Sequence, residues 1–438
     1  MSQFAEIKKW YLNEFKLFEN SLNGESTAPI HKIRKDAISN FSNLDFPNTR
    51  DEEWKYTNIS PLLKYNFKPS LEKQDVKQEQ VNKYLFDELE HSLLVFVNGH
   101  FDAGLSRIKH LPKGVSAGSI ADAIKEKSPV VEKHFGKYAD YKNQIFTALS
   151  TAYTKDGAFI YVPDGKVVEE AIHILFLTTE SDENILTQPR NLFVAGKNSQ
   201  VKIIEHYASL GENIYFTNSV TEIFADENSI IDHVKLQEEN KKSFHVARME
   251  IDQEKNSNFS SHAISLGGDI ARNDFNSRFN DEGGECMMNG LFLTDGTQLF
   301  DTHSLIDHAK PHCNSHEHYK GILDDKSRGV FNGKVIVRQD AQKTNAFQEN
   351  NNIILSDDAL INTKPQLEIF ADDVKCSHGA TIGQLDEEAM FYLKSRGIGE
   401  ETSKSILIHA FASDVIKSIK IKAIKDYVEK ILSNRFDG

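Results

Sequence analysis

The chain reads as a mainly β protein in which a core of short stacked strands lies between helical ends. Three observations carry that reading. From Asp156 to Lys375, β-type runs recur at intervals of roughly 10 to 15 residues, from AFIYVP and HILFL through FHVARMEI and GLFLTD to VFNGKVIV and QLEIF, with no long helical pattern among them. Such spacing fits a sandwich, a barrel or a solenoid. The corners are long and carry Asn, Ser, Lys and Glu, whereas hairpins favour two-residue Asn-Gly or Asp-Gly loops, and this tilts the choice toward stacked solenoid rungs. At both ends the apolar residues switch to spacings of three and four.

The elements follow in order. Phe4, Ile7, Tyr11, Phe15, Phe18 and Leu22 mark the buried face of an N-terminal helix. A second helix around Ile30 to Phe41 ends in a turn containing Pro47. RDEEWKYTNISPLL follows from Arg50 to Leu63, with Trp54 and Tyr56 read as local packing of a helical cap. The polar stretch Ser70 to Glu90 reads as a linker or a solvated helix. Leu93 to Asp102 is a strand and turn, and Ser119 to Lys127 a short helix. Beyond the β region, Asp386 caps DEEAMFYLKSR and Gly397 stops it. Two amphipathic runs then form a terminal bundle that packs on itself or offers a docking surface: Ile406, Leu407, Ala410 and Phe411, then Ile424, Tyr427, Val428 and Ile431. The expected division is an N-terminal helical domain and linker over 1–90, a mixed transition over 91–155, the β core over 156–380 and a C-terminal helical domain over 381–438.

Composition excludes several classes. With 438 residues and a net charge of -14, the chain does not carry a broad nucleic-acid footprint or an affinity for anionic membranes. Three cysteines, Cys286, Cys313 and Cys376, are too few and odd for a disulfide framework and favour a reducing compartment. There is no apolar signal-like stretch and no run of about 18 apolar residues, so a cytoplasmic location is expected. The Walker nucleotide loop and the Gly-x-Ser-x-Gly elbow are both missing, so neither ATP hydrolysis nor serine hydrolase chemistry is expected. A β-helix enzyme acting on polysaccharides is disfavoured by the lack of an export signal and by the helical ends.

Two places could hold metal. In DDVKCSHGAT, Cys376 and His378 share one face of a strand about 6 to 7 Å apart, a soft sulfur and an imidazole suited to zinc, copper or iron. Two ligands are half a four-coordinate site, and a buried Cys beside a hydrogen-bonded His fits the spacing equally well. Between Asp301 and Lys320 lie His303, His308, His312, Cys313, His316 and His318. Here His316 and His318 would share a strand face, and with Cys313 they make a weaker candidate for a stable metalloprotein site, against a hydrogen-bonded contact between rungs or subunits. Cys286, among apolar neighbours, reads as a buried small hydrophobe.

The run from Gln366 to Gly397, with QLEI, DDVKCSHGAT, GQLDEE and FYLKSRGI, resembles the C-terminal signature of the SufB/SufD scaffold family of the SUF iron–sulfur cluster assembly system. GVFNGKVIV, AQKTNA and IILSDDA match the same family upstream in the same order, and weaker likeness reaches back to DGAFIYVP. Several features follow from the resemblance. The fold is expected to be a right-handed parallel β-helix flanked by helical domains, and the function that of a non-catalytic scaffold. The cofactor is expected to be a transient iron–sulfur cluster shared with SufB and not stably bound by the isolated chain. SufB would pair through the β-helix, with a homodimer of this chain as an alternative in isolation. The SufC ATPase would bind the C-terminal helices, through Phe391, Arg396 and Phe411. P-x-x-RDEEWKYTN is similar to the SufD branch. SufB members carry a thiol in the segment that here reads FQENNNIILS, with Asn350 in its place, which also favours that branch over a SufB-like chain holding the cluster itself. On that branch His378 maps to a ligand at the shared site and Cys376 to a thiol of less definite role.

Overall fold

The computed structural model describes residues 3–22, 29–71, 73–86, 91–109 and 111–436. Two largely parallel sheets dominate it, one of 11 strands and one of 10. Through the core, successive strands fall alternately into one sheet and the other. Phe244–Gln253 pairs with Ile270–Phe279 in the first, for example, and Asn258–Ser265 with Glu285–Thr294 in the second. That alternation is the winding of a β-solenoid of about eight turns, which settles the choice against a sandwich or barrel.

The corners explain why the strands stack. At one of them a left-handed residue recurs on each turn: Asn198, Asn228, Asn256, Gly283, His312 and Lys343 all have φ between +53° and +76°. Their N–H groups donate to carbonyls one turn further on, Asn228 to Lys255 and His312 to Gln342. Asn and Gly adopt this conformation at low cost. The Asn228 side-chain amide adds a bond to Asn198 at 3.1 Å, so the corner is itself a ladder.

Along each rung side chains alternate between the interior and the outer face. Inward Phe259, Phe275, Ile306 and Phe331 form part of the main core, which also encloses polar groups. Buried Lys235 donates to Asn273 at 2.6 Å and reaches His245 at 2.9 Å, and burial pushes its ammonium down to about 8. Glu205 is met by His233 and Tyr207. Pairing of this kind is what lets charge sit in a solenoid core.

The helices cover the outer faces. Gln3–Ser21, Pro29–Asn43 and Ile145–Ala152 share one apolar cluster with the first sheet, in which Phe146 of the third helix meets Phe216, and Phe67, from the segment after the second helix, meets Phe216 and Phe244. Trp54 is not a local cap. Its ring lies 3.7 Å from the Arg272 guanidinium, while Arg272 donates to the Glu53 carbonyl and to Asp301, each at 2.7 Å, so this segment latches onto the solenoid. Nor is the Ser70 to Glu90 stretch simply solvated: Val81 and Phe86 are buried, Phe86 stacking on His206; residues 87–90 lie outside the described residues.

At the other end, Glu400–Ser418 and Lys422–Phe436 fold back along the second sheet, with Ile408, Val415, Val428 and Leu432 in one cluster with Val234, Leu236, Leu291 and Ile322. The helix Glu387–Ser395, capped by Asp386 and ended at Gly397 with φ +86°, buries no residue. No described helix is long and apolar enough to cross a membrane.

Candidate functional site

The solenoid ends on an open turn. Its last strands are Leu360–Ile369, paired with Arg328–Val337, and Lys375–Gly383, paired with Asn345–Ile354, and among the described residues neither sheet continues past them. The consequence is visible in burial: most of Arg328–Val337 is buried, whereas Lys375–Gly383 contains no buried residue. Leu360, Ile369, Phe370 and Ile382 are exposed around this edge, Phe370 at 63%. An apolar rim beside an unpaired strand edge is a surface that natural proteins cover.

Cys376 and His378 sit on that last strand, on the face that points inward on every earlier rung. Cys376 is in register with Ala346 and then Ser315, and His378 with Gln348 and then Glu317. Lacking a rung above them, Cys376 is half-buried and His378 exposed. Burial pushes the Cys376 thiol above its usual range, so at neutral pH it is protonated and would bind metal only by losing that proton. Beneath His378, Gln348 donates to Glu317 at 2.5 Å, and burial drives the Glu317 carboxyl up to about 7 in spite of that bond. Asn350 is fully buried, donating to the Tyr319 carbonyl at 3.1 Å.

The histidines between Asp301 and Lys320 disperse. His303 bridges Glu53 and Asp301, at 3.2 and 3.1 Å; against the upward push of burial, His303 and Arg272 hold Asp301 at about 2. His308 bonds Ser315 at 2.8 Å, and His312 is the left-handed corner residue. Cys313 belongs to the interior core, its thiol pushed up to about 11 by burial, while His316 is exposed and stacks on Phe347 and His318 is half-buried. Among the described residues no group of three or more His, Cys, Asp or Glu is placed to hold a metal. Thus Cys313 lies across the sheet from His316 and His318. The stack of small interior contacts includes Cys286, buried with its thiol near 12.

On the C-terminal helices, Phe391 is 75% exposed and Arg396 lies 5.2 Å from the Tyr392 ring, both facing outward. Phe411 instead faces the solenoid: Lys320 lies 4.8 Å from its ring and donates to its carbonyl at 2.7 Å. Glu317, which the sequence offers as a carboxylate to complete the site of His316 and His318, lies instead in the column beneath His378. Gln348 carries no local signal, because the relation of both to His378 is one of register; the recurring corner, every 27 to 31 residues, is the signal that aligns them.

Comparison with known proteins gives two family matches that together span most of the chain. Residues 176–411 match the family described as SUF system FeS cluster assembly, SufBD core domain, and residues 5–174 match the SufBD protein N-terminal region. An iron–sulfur cluster assembly SufBD family protein of Synechocystis is 35% identical, over 94% of this chain and 93% of its own length. The iron–sulfur cluster assembly proteins SufD of Escherichia coli and Bacillus subtilis are 29% and 26% identical, covering 90% and 98% of this chain and the same shares of their own.

Proposed function

The chain belongs to the SufBD family of the SUF iron–sulfur cluster assembly system, and we propose on that footing that it is the SufD-type scaffold subunit of a SufB–SufC–SufD complex. In this reading it makes and breaks no covalent bonds itself and works in the cytoplasm. The nascent cluster is its cargo, held for a time between two chains. His378 is the ligand this chain contributes and Cys376 a secondary one, with the rest of the coordination sphere arriving from a SufB-type partner.

The observation that supports this most is the open last turn carrying Cys376 and His378 on its inward face. A half-set of ligands at an uncapped strand edge is completed when a second β-helix continues the stack. An incomplete sphere also suits release of the cargo. The same edge could pair two copies of this chain by a two-fold axis when the partner is missing. The exposed helix Glu387–Ser395, with Phe391 and Arg396, is the proposed SufC docking face, and Phe411 props the bundle behind it.

The test is co-expression with SufB-type and SufC-type subunits. All three should co-purify, and His378→Ala should fold normally, stay in the complex and lose cluster assembly. Failure to co-purify, or full assembly by the variant, would overturn the proposal.

A further inference from the structure

Below the exposed His378, the inward column of the second sheet continues through Gln348 and Glu317, one on each preceding rung. Neighbouring rungs of a parallel stack lie about 4.8 Å apart, so side chains in such a column are within reach of one another. Both Gln348 and Glu317 are buried. The Gln348 Nε2 donates to Glu317 Oε2 at 2.5 Å, which fixes the lower end of the carboxamide. Its Oε1 is buried and meets no protein donor. The facing sheet leaves room for this arrangement, because Gly333 has no side chain there: a Cβ at that position would lie 2.3 Å from Gln348 Nε2.

A buried carbonyl oxygen without a donor is costly, and a native fold that keeps one invites an explanation. On the rung above, the residue in register with Gln348 is His378, whose imidazole can carry an N–H. A histidine that ligates a metal through one nitrogen holds the proton on the other, and a hydrogen bond from that N–H to an oxygen fixes tautomer and ring orientation. We propose that Gln348, anchored by Glu317, is the positioning residue for His378: its free carbonyl oxygen accepts the His378 N–H and leaves the other imidazole nitrogen facing out of the open turn. This rests on the reading of His378 as the ligand given by this chain.

The test has two arms. In the isolated chain with imidazole nitrogens labelled with 15N, the His378 signal is identified by its loss in His378→Ala. It should report a single tautomer in the wild type and in Glu317→Gln, which keeps a partner for Gln348. Gln348→Met matches the side chain in size without its acceptor and should give a mixture of tautomers. In the complex reconstituted with SufB-type and SufC-type subunits, Gln348→Met should weaken the 15N hyperfine coupling of the histidine and lower cluster yield about tenfold, while Glu317→Gln stays near wild type. A mixed tautomer in the wild type, or a single tautomer and full yield in Gln348→Met, would overturn the positioning role even where His378→Ala abolishes assembly. Full assembly by His378→Ala would instead remove the ligand reading on which the proposal stands. Should Gln348→Met fail to fold, the wild-type tautomer still decides.

Discussion

The two ends of the solenoid are built from similar strands and finished in opposite ways. At the first turns, Ser92–Val97 pairs antiparallel with His100–Phe101, and Ala158–Val162 with Ser116–Ser119, while nearby helices bury Phe159 and Leu192. At the last turn the strands still run to 10 and 9 residues, yet Lys375–Gly383 has no buried residue and nothing in the described chain closes it. An open edge is an aggregation hazard that folds usually suppress. Keeping one, with an apolar rim and a thiol and an imidazole side chain on it, points to a surface maintained for another chain.

The sharpest contrast lies between two glycines. A Cβ at Gly267 would fall 1.8 Å from the Glu239 carbonyl oxygen, whereas Gly379 has nothing within 4 Å. Gly267→Ala should cost on the order of 4 kcal/mol or more, or prevent folding, and Gly379→Ala should stay within about 0.5 kcal/mol, both read by thermal unfolding of the isolated chain. Equal costs would mean that the last turn is covered after all. Next in size is a phenylalanine pair: Phe331→Ala in the closed interior should lose about 3 to 5 kcal/mol, while Phe370→Ser should leave the melting temperature unchanged and weaken binding of a SufB-type partner.

The third contrast is electrostatic. The Glu317 carboxyl, raised by burial from 4.5 to about 7, holds its proton longer in the folded than in the unfolded chain. Its contribution is therefore fully present below pH 4.5 and lost as the pH rises toward 7, about 3 kcal/mol in all, and Glu317→Gln should flatten that slope in denaturant titrations. A slope of the opposite sign would contradict the buried, protonated state. The smallest effect is expected from Lys364→Ala, which removes the solvent-screened ion pair to Glu52 and should leave the chemical denaturation midpoint almost unchanged.

Much of this was legible in the sequence, and the exceptions have physical causes. Strand runs, long corners and helical spacing are local signals, so the solenoid and both helical ends could be read. Asp386 and Gly397 behave as cap and stop because capping needs only neighbouring residues. Trp54 could not be placed, since its partner Arg272 is more than 200 residues away and no spacing rule connects them. The histidines before Lys320 looked like a cluster because sequence proximity hides the in-and-out alternation of a strand and the left-handed corner at His312. Cys376 and His378 could be put on one face from their spacing. Their exposure could not, because it depends on which rung is last.

Hydrogen–deuterium exchange over 360–369 and 375–383, in the chain alone and bound to a SufB-type subunit, separates an open edge from a closed one. Alternate amides of both strands should exchange rapidly in the isolated chain and slow by at least about tenfold in the complex, as a continued sheet requires. Unchanged exchange there, with protection appearing on another face, would contradict the pairing proposed for this edge.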